Sequence, residues 1–192
     1  MHVLVDCDGV LGDFIETFLR MINSEYRTSL KKENIISYNL YECPDSPLKT
    51  REEERAAVRR FAELGLYGKL SPLPGAQIVL EKLAKNYVLD VVTHRSNVFK
   101  VQQETHAWIH QHYPGIFRNI FLVEGAKQQH VTKDTIAIIE DRPKNALEFA
   151  QANIDAILLD SPWNSEKQYP ELLHPKIKRV KNWQEVEKLL RF

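Results

Sequence analysis

Four acidic side chains, in two pairs that each follow a short apolar run, are the residues of this sequence best suited to chemistry. Asp6 and Asp8 are separated by one residue, and Glu140 and Asp141 are adjacent. A carboxylate can attack phosphorus and form an aspartyl phosphate, while a second carboxyl group protonates the leaving oxygen and later deprotonates water. Acids this close repel one another unless a hard dication lies among them, and magnesium prefers oxygen ligands. The two pairs therefore indicate metal-assisted phosphoryl transfer.

Hydroxyl and basic side chains that can bind a phosphoryl group lie elsewhere in the chain. Thr93 ends an apolar run and can donate to a phosphoryl oxygen, and Lys127 can neutralise charge that develops there. Lys133 is the alternative lysine, but it lies close to the next apolar run, where a solvated turn residue is expected. Two further basic residues follow Thr93 directly, so we place His94 among the phosphate-binding residues and Arg95 among the substrate-binding residues.

The elements that must position these groups alternate between apolar runs and helix-like stretches. The runs lack in/out alternation, which is typical of strands buried on both faces of a parallel sheet. Strands are predicted over residues 3–5, 87–92, 120–123, 136–139, 154–159 and 177–180. Helices are predicted over residues 75–85, 98–112 and 143–152, and after Asn182. The alternation predicts an α/β fold with a Rossmann-like parallel sheet, in which ligands bind at the carboxyl ends of the strands.

The connection between the first two predicted strands is too long for a simple crossover. It spans roughly 80 residues, whereas a crossover needs only a dozen or more. We therefore expect residues 15–71 to form a small helical cap, inserted after the first strand, with helices over residues 15–26 and 51–64. Residues 1–14 and 72–192 would form the catalytic core. Asp13 is expected to cap the first helix of the insertion.

The ordered motifs resemble those of the haloacid dehalogenase (HAD) superfamily. They are Asp-x-Asp-Gly-Val after the first strand, a threonine after the second, a downstream lysine, and a pair of acids after the fourth strand. Most phosphatases of that superfamily are magnesium enzymes that form an aspartyl phosphate. The resemblance implies that Asp6 is the nucleophile and a metal ligand. It also implies that Asp8 is the general acid/base, with its main-chain carbonyl on the metal.

The same resemblance assigns roles to the other motif residues. Thr93 and Lys127 would hold the phosphate, and Glu140 and Asp141 would be the acids beside the metal. The corresponding motif usually has two aspartates, so the longer Glu140 leaves open which of the two acids binds Mg²⁺ directly. The pair after Thr93 is bulkier and more cationic than the small residues expected there. Arg95 would add a phosphate contact or bind an acidic group elsewhere on the substrate.

A narrower resemblance, to the 5′(3′)-deoxyribonucleotidase branch of the superfamily, is found in three segments. They are DCDGVLGDF at residues 6–14, LGLYGKLSPLPGA at residues 64–76 and IIEDRP at residues 138–143. Phe14, Phe61 and Tyr67 fall where that branch places aromatic side chains around the nucleobase. Stacking on a base is worth about 1–3 kcal/mol. Packing between cap and core is the alternative role for these three rings.

These motifs predict a magnesium-dependent phosphomonoesterase that hydrolyses nucleoside or deoxynucleoside 5′-monophosphates through an aspartyl phosphate. The alternatives within the superfamily are a nucleic-acid 3′-phosphatase and a small sugar-phosphate phosphatase. A true dehalogenase is disfavoured, because it needs no metal and makes no use of the second aspartate. A nonenzymatic binding module is also disfavoured, because it would not require the full set of chemical groups that is present.

Composition limits the possible partners. The 26 basic and 26 acidic residues give zero net charge, so the chain lacks the basic field that nonspecific binding to nucleic acid or an anionic membrane requires. No segment approaches the roughly 18 apolar residues of a membrane span, and we expect no signal peptide. Two cysteines without a disulfide pattern favour the cytoplasm. The expected partner is therefore a small phosphomonoester, and the sequence gives no oligomeric state.

Overall fold

A parallel sheet of six strands lies at the centre of the protein, whose structure is a computed structural model that describes residues 1–190. The strands follow the order β3-β2-β1-β4-β5-β6, and every neighbouring pair is parallel. Their bounds are His2–Val5 (β1), Val88–Thr93 (β2), Asn119–Leu122 (β3), Thr135–Glu140 (β4), Asp155–Leu159 (β5) and Ile177–Val180 (β6). This sheet confirms the predicted α/β, Rossmann-like fold.

Helices cover both faces of the sheet. Their bounds are Phe14–Tyr26 (α1), Arg51–Glu63 (α2), Ala76–Leu83 (α3), Phe99–His112 (α4), Pro143–Gln151 (α5) and Trp183–Leu190 (α6). In β1, Val3 and Val5 join the larger apolar core, together with buried residues of α3, α4 and α6. Leu4 points to the other face and joins a second core with α5. Burial on both faces explains why the strands lack an alternating polar pattern.

The order of the strands brings distant parts of the sequence to one edge. From β1 the chain moves outward through β2 and β3, and then crosses back to β4 on the other side of β1. The carboxyl ends of β1, β2 and β4 are therefore neighbours at the point where the strand order reverses. Open α/β sheets bind their ligands in the crevice outside such a point. Asp6, Thr93 and Glu140 stand at these three strand ends.

The segment between β1 and β2 is helical, as the length of the connection predicted. It contains α1, α2 and short 3₁₀ turns, of which Leu40–Glu42 and Leu66–Lys69 bear on the site. Asp13 accepts a hydrogen bond from the backbone N–H of Glu16 at 3.3 Å and so caps α1, as expected. The division into a core and a cap at residues 14/15 and 71/72 stays a prediction. We use the word cap for residues 15–71.

Two aromatic donors from the core helices hold the loop that follows β1. The Trp183 indole in α6 donates to the Val10 carbonyl at 3.0 Å, and the Tyr113 hydroxyl at the end of α4 donates to the Leu11 carbonyl at 2.7 Å. All four residues are buried. Because a buried carbonyl left without a donor costs about 1–3 kcal/mol, these bonds favour a single conformation for the loop.

The segment that returns from the cap to the sheet, around residues 70–72, is bonded to the same loop. Gly12 forms a β-bridge with Pro72, and the Trp108 indole in α4 donates to the Leu70 carbonyl at 2.8 Å. A Cβ on Gly12 would lie 3.0 Å from both Leu70 and Trp108, which is tighter than ordinary contact. The two ends of the inserted segment are therefore held side by side.

Among residues 1–190, none of the helices has the length and apolar character that a membrane crossing demands.

Candidate active site

A buried lysine joins two of the acids at the carboxyl edge of the sheet. Lys127 Nζ lies 2.8 Å from Asp6 Oδ1 and 2.5 Å from Glu140 Oε1. Lys127 begins the 3₁₀ turn Lys127–His130, which follows β3, rather than an α-helix. The backbone N–H of Cys7 also donates to Asp6 Oδ1, at 2.7 Å. Asp6 Oδ1 thus has two donors, and Asp6 Oδ2 has no hydrogen bond within the described part of the chain.

These acids carry more negative charge than the lysine balances. Burial and then the charge of Glu140 raise the pKa of Asp6, while Lys127 opposes both effects. Burial, followed by the charges of Glu140 and Asp6, also raises the pKa of Asp141. For Glu140, burial would raise the pKa, but the charge of Lys127 and several hydrogen bonds outweigh it and lower the pKa. Three buried acids thus surround one lysine, and a dication would supply the positive charge that they lack.

The two acids after β4 differ in how much of each is already bonded. Glu140 Oε1 accepts from Lys127 and from Asn145 Nδ2 at 2.7 Å, and Oε2 accepts from the next two backbone N–H groups. Asp141 accepts a side-chain bond only at Oδ2, from the Trp163 indole at 3.1 Å, counting partners within residues 1–190. Asp141 Oδ1 therefore remains open, whereas both Glu140 oxygens are occupied. This geometry favours Asp141 as the direct metal ligand.

Gly9 is required by the close approach of two segments. Its φ of +77° lies in the left-handed region, and a Cβ there would lie 2.0 Å from Asp141 Oδ2. Any side chain would push Asp141 out of place and would strain the turn. Asn164 supports Asp141 from the other side, since its Nδ2 donates to the Asp141 carbonyl at 2.8 Å.

Thr93 offers a hydrogen-bond donor that nothing else uses. Its side chain is buried at the end of β2, and its hydroxyl has no partner in the described part of the chain. A buried hydroxyl without a partner is unfavourable unless a ligand satisfies it.

His94, the next residue, is exposed and bonds through Nε2 to the Gly125 carbonyl at 2.8 Å. Although the residue is exposed, partial burial of its ring and then the charge of Lys127 lower the pKa of His94.

Arg95, predicted to bind the substrate, is buried and contacts Asp8. It is 1% exposed, and it holds both oxygens of Asp8, through Nε at 3.0 Å and Nη2 at 2.6 Å. Its Nη1 donates to Thr105 at 3.0 Å, and its guanidinium lies 4.6 Å from the centre of the Tyr67 ring. The guanidinium is enclosed by the protein, and a substrate contact by Arg95 stays a prediction. Arg95 orients Asp8.

A cavity of about 230 Å³ extends from the acids into the cap. At the sheet end, Asp8, His94 and Asp141 line it, and Phe14 and Tyr67 form part of its aromatic wall. The remaining lining residues are Gly9, Ile15, Phe18, Ile35, Tyr38, Leu40, Glu54, Val58 and Trp163. Two of the three predicted base-binding rings therefore face a space that can take a ligand.

The third predicted ring, Phe61, does not reach the cavity. It is 0% exposed, and its ring centroid lies 4.9 Å from that of Phe14 and 5.0 Å from that of Tyr67. Phe61 is not among the residues that line the cavity, so a base contact by this ring stays a prediction. Phe61 supports their positions by packing, which is the alternative that the sequence left open.

Several cavity residues were not found from the sequence. Tyr38 lies in an irregular segment without periodicity, and the Arg142 guanidinium lies 4.4 Å from its ring centroid. Glu54 has the charge pattern of an ordinary exposed helix residue. Trp163 both lines the cavity and bonds Asp141. None of the three stands in a motif whose spacing would have revealed it.

The histidines of α4 form no comparable centre. The rings of His106 and His110 lie 6.3 Å apart, and no acid or cysteine joins them in a metal-binding group within residues 1–190. In that range, one group of three or more candidate ligands is present, and it consists of Asp6, Glu140 and Asp141. Their ligand atoms lie within 4.8 Å of one another.

Replacing the buried lysine tests the electrostatics of the site. Lys127→Met should lower the free energy of unfolding by about 3–5 kcal/mol near neutral pH, because it leaves buried carboxylates without their partner. Lys133→Met removes an exposed lysine close by in sequence and should change the stability little. Urea unfolding of both variants, in excess chelator, measures the difference.

The loss in Lys127→Met should also depend on pH. The lowered pKa of Glu140 means that its pairing stabilises the native protein above the ordinary carboxyl pKa, and that this is lost as the pH falls through the lowered value. Without the lysine, burial would raise the pKa, and the penalty would grow as the pH rises. The stability gap to wild type should therefore narrow in acid. A gap that is independent of pH, or equal to that of Lys133→Met, would contradict this account.

Known proteins resemble this one in sequence and in fold. The mouse mitochondrial 5′(3′)-deoxyribonucleotidase is 25% identical over 204 residues, which cover 95% of this chain and 81% of the mouse protein. A HAD-like hydrolase from Streptococcus pneumoniae, SP0104, matches with a TM-score of 0.71 at 14% identity, over 99% of this chain and 98% of that one. The HAD hydrolase YfnB from Bacillus subtilis, bound to magnesium, has a TM-score of 0.62 at 15% identity, over 100% and 98%. The two structures show that the fold is that of HAD hydrolases.

A family model supplies the remaining comparison. The model for the 5′ nucleotidase, deoxy (Pyrimidine), cytosolic type C protein matches residues 1–192, the whole chain. Fold, motif order and family match agree that the chain is a phosphatase. The protein therefore belongs to the cytosolic type C 5′-deoxynucleotidase family, within the HAD-like phosphatases.

Proposed function

We propose that the protein hydrolyses nucleoside or deoxynucleoside 5′-monophosphates with Mg²⁺, through a phosphoryl group carried on Asp6. The observation that carries the proposal is the cavity that has acids at one end and aromatic rings along its wall. A phosphate at the acidic end would leave the nucleoside beside Phe14 and Tyr67. Base stacking on such rings tolerates different bases and contributes about 1–3 kcal/mol.

In the first step, Asp6 would attack phosphorus through Oδ2, the oxygen without a hydrogen bond. The bond from phosphorus to the nucleoside 5′-oxygen breaks, and Asp8 gives that oxygen a proton. Lys127 holds the other oxygen of Asp6, so the attacking oxygen is directed away from the lysine. The Thr93 hydroxyl, which is buried without a partner, would donate to a phosphoryl oxygen.

In the second step, water would attack the phosphorus of the aspartyl phosphate. Asp8 accepts the proton of that water, the bond between Asp6 and phosphorus breaks, and inorganic phosphate leaves. Arg95 fixes the direction of the Asp8 carboxylate through both oxygens. A protonated Asp8 has one oxygen that donates instead of accepting, so the acid step requires Asp8 to release one of these two bonds.

The acids fit a magnesium ion by their chemistry and their charge. All are oxygen donors, and the excess of buried negative charge beyond Lys127 favours a dication. Asp6 and Asp141 would hold the metal through carboxylate oxygens, Asp8 would hold it through its main-chain carbonyl, and Glu140 would anchor Lys127. When bound, Mg²⁺ would neutralise the charge on the transferring phosphoryl group. YfnB, which shares the fold, is bound to magnesium.

Two related activities remain alternatives to the nucleotidase. A nucleic-acid 3′-phosphatase would need a basic surface, and the net charge of this chain is zero. A small sugar-phosphate phosphatase would need no aromatic wall, whereas Phe14 and Tyr67 line this cavity. We propose the cytoplasm as the location, since both cysteines are free thiols.

A panel of phosphate esters, with and without metal, tests the substrate and the cofactor together. Nucleoside 5′-monophosphates with Mg²⁺ should give the highest kcat/KM, and ribose 5-phosphate and a 3′-phosphorylated oligonucleotide should give much less. Ca²⁺ should bind without supporting turnover, because it prefers more ligands at longer distances. Release of inorganic phosphate measures all of these. Full activity in excess chelator would exclude the metal, and preference for ribose 5-phosphate would exclude the nucleotidase.

Asp8→Asn tests the acid/base role. Turnover of nucleotides should fall by about 10²–10⁴-fold, because the amide cannot exchange a proton with the leaving oxygen. The loss should be smaller for p-nitrophenyl phosphate, whose leaving group needs little protonation. Comparing kcat for the two substrates separates this role from general damage. An equal loss on both substrates would contradict an acid role for Asp8.

A further inference from the structure

One face of α2 forms part of the cavity wall in the cap. Glu54, Val58 and Phe61 follow one another at spacings of four and three residues, so they share a face of this helix. Glu54 and Val58 line the cavity, and Phe61 packs beneath Phe14. At about 1.5 Å per residue, Glu54 stands roughly 10 Å along the helix from Phe61. Glu54 therefore lines the part of the cavity that the cap supplies, whereas Asp8 and Asp141 line the part at the edge of the sheet.

The charges of the cavity fall at its two ends. Asp8, His94 and Asp141 lie at the sheet end, where the phosphate would bind. Between the ends the wall is largely aromatic or aliphatic. At the cap end Glu54 is the charged group, and no lysine or arginine in the described part of the chain lines this space. Glu54 also has no ion pair in that part of the chain.

The Glu54 carboxylate is held by the backbone and can still accept further hydrogen bonds. Its Oε2 accepts from the backbone N–H of Tyr41 at 3.4 Å, and the backbone of Leu40 also lies beside the carboxylate. Burial raises the pKa of Glu54, against the lowering effect of backbone hydrogen bonds from residues 40 and 41. An ionised carboxylate only accepts hydrogen bonds and has about four lone-pair positions. Whatever lies at this end of the cavity must therefore present N–H or O–H donors.

We propose that Glu54 selects the base, favouring nucleotides whose base carries an amino group on its pairing edge. Guanine can give a carboxylate two adjacent N–H donors, and cytosine and adenine can give it an amino group, as carboxylates accept from cytosine N4. Uracil and thymine have one N–H between two carbonyl oxygens, which a carboxylate repels. The inference rests on the proposed nucleotidase function and adds the class of base.

Two matched pairs of nucleotides test this inference in the wild-type protein. dCMP and dUMP differ at one amino or carbonyl group, and dGMP and dIMP differ by the 2-amino group. We expect kcat/KM to favour the amino member of each pair by roughly ten- to a hundredfold. The comparison needs no variant, so it remains decisive if a substitution damages the fold. A ratio near one, or a preference for dUMP, overturns the inference.

A matched pair of variants assigns the selectivity to Glu54. Glu54→Gln keeps an acceptor for the Tyr41 N–H and gains a donor, so both nucleotide ratios should fall toward one. Glu52→Gln removes the same charge from the first turn of α2 at an exposed position, and the ratios should remain those of wild type. Unchanged ratios in Glu54→Gln overturn the inference.

The base-free substrate separates this inference from the function on which it rests. Ribose 5-phosphate, which has no base, should be hydrolysed equally by wild type and Glu52→Gln, since Glu52 does not line the cavity. If wild type hydrolyses ribose 5-phosphate better than every nucleotide, the proposed function is wrong and the inference falls with it. If nucleotides are preferred but the bases are not distinguished, the inference alone is wrong.

Discussion

The contact of Lys127 with Asp6 and Glu140 ties three strand ends together at the carboxyl edge of the sheet. Lys127 follows β3, Asp6 follows β1 and Glu140 ends β4, and all three side chains are buried. Buried ions are costly, so this arrangement is favourable only while the charges remain paired and hydrogen-bonded. Both oxygens of Glu140 accept hydrogen bonds, so Glu140 holds Lys127 in place. Lys127 in turn binds one oxygen of Asp6, and the other oxygen is free to react.

A second ionic contact connects the core with the cap. Arg95, which follows β2, forms two hydrogen bonds to Asp8 in the loop after β1. Its guanidinium also stacks on the ring of Tyr67, which belongs to the inserted segment. A desolvated cation over an aromatic ring contributes about 2 kcal/mol or more. The residue proposed to move protons and a ring proposed to contact the nucleoside are thus held by the same guanidinium. Because Phe61 of α2 packs against both Tyr67 and Phe14, the positions of these two rings depend on how α2 packs.

Sequence patterns predicted the elements well and the contacts between side chains less well. The apolar run at residues 177–180 is β6, and the helix predicted over residues 98–112 is Phe99–His112, because burial on known faces leaves a clear periodicity. The ordered motifs also predicted which acids meet, since strand order fixes which ends are neighbours. The partner of Arg95 was missed because it depends on the side-chain direction of a buried loop residue. Glu54 was missed because an acid on a cap helix looks the same whether it faces water or a cavity.

The central claim is that Asp6 carries the phosphoryl group during turnover, and trapping that group tests it most directly. The protein would be mixed with a nucleotide and Mg²⁺, quenched in acid within a single turnover, digested and analysed by mass spectrometry. The peptide that contains Asp6 should gain the mass of one phosphoryl group, and fragmentation should place it on Asp6. Asp6→Asn, treated in the same way, should gain none. A single turnover that releases phosphate while Asp6 stays unmodified, or a phosphoryl group on another residue, would contradict the account.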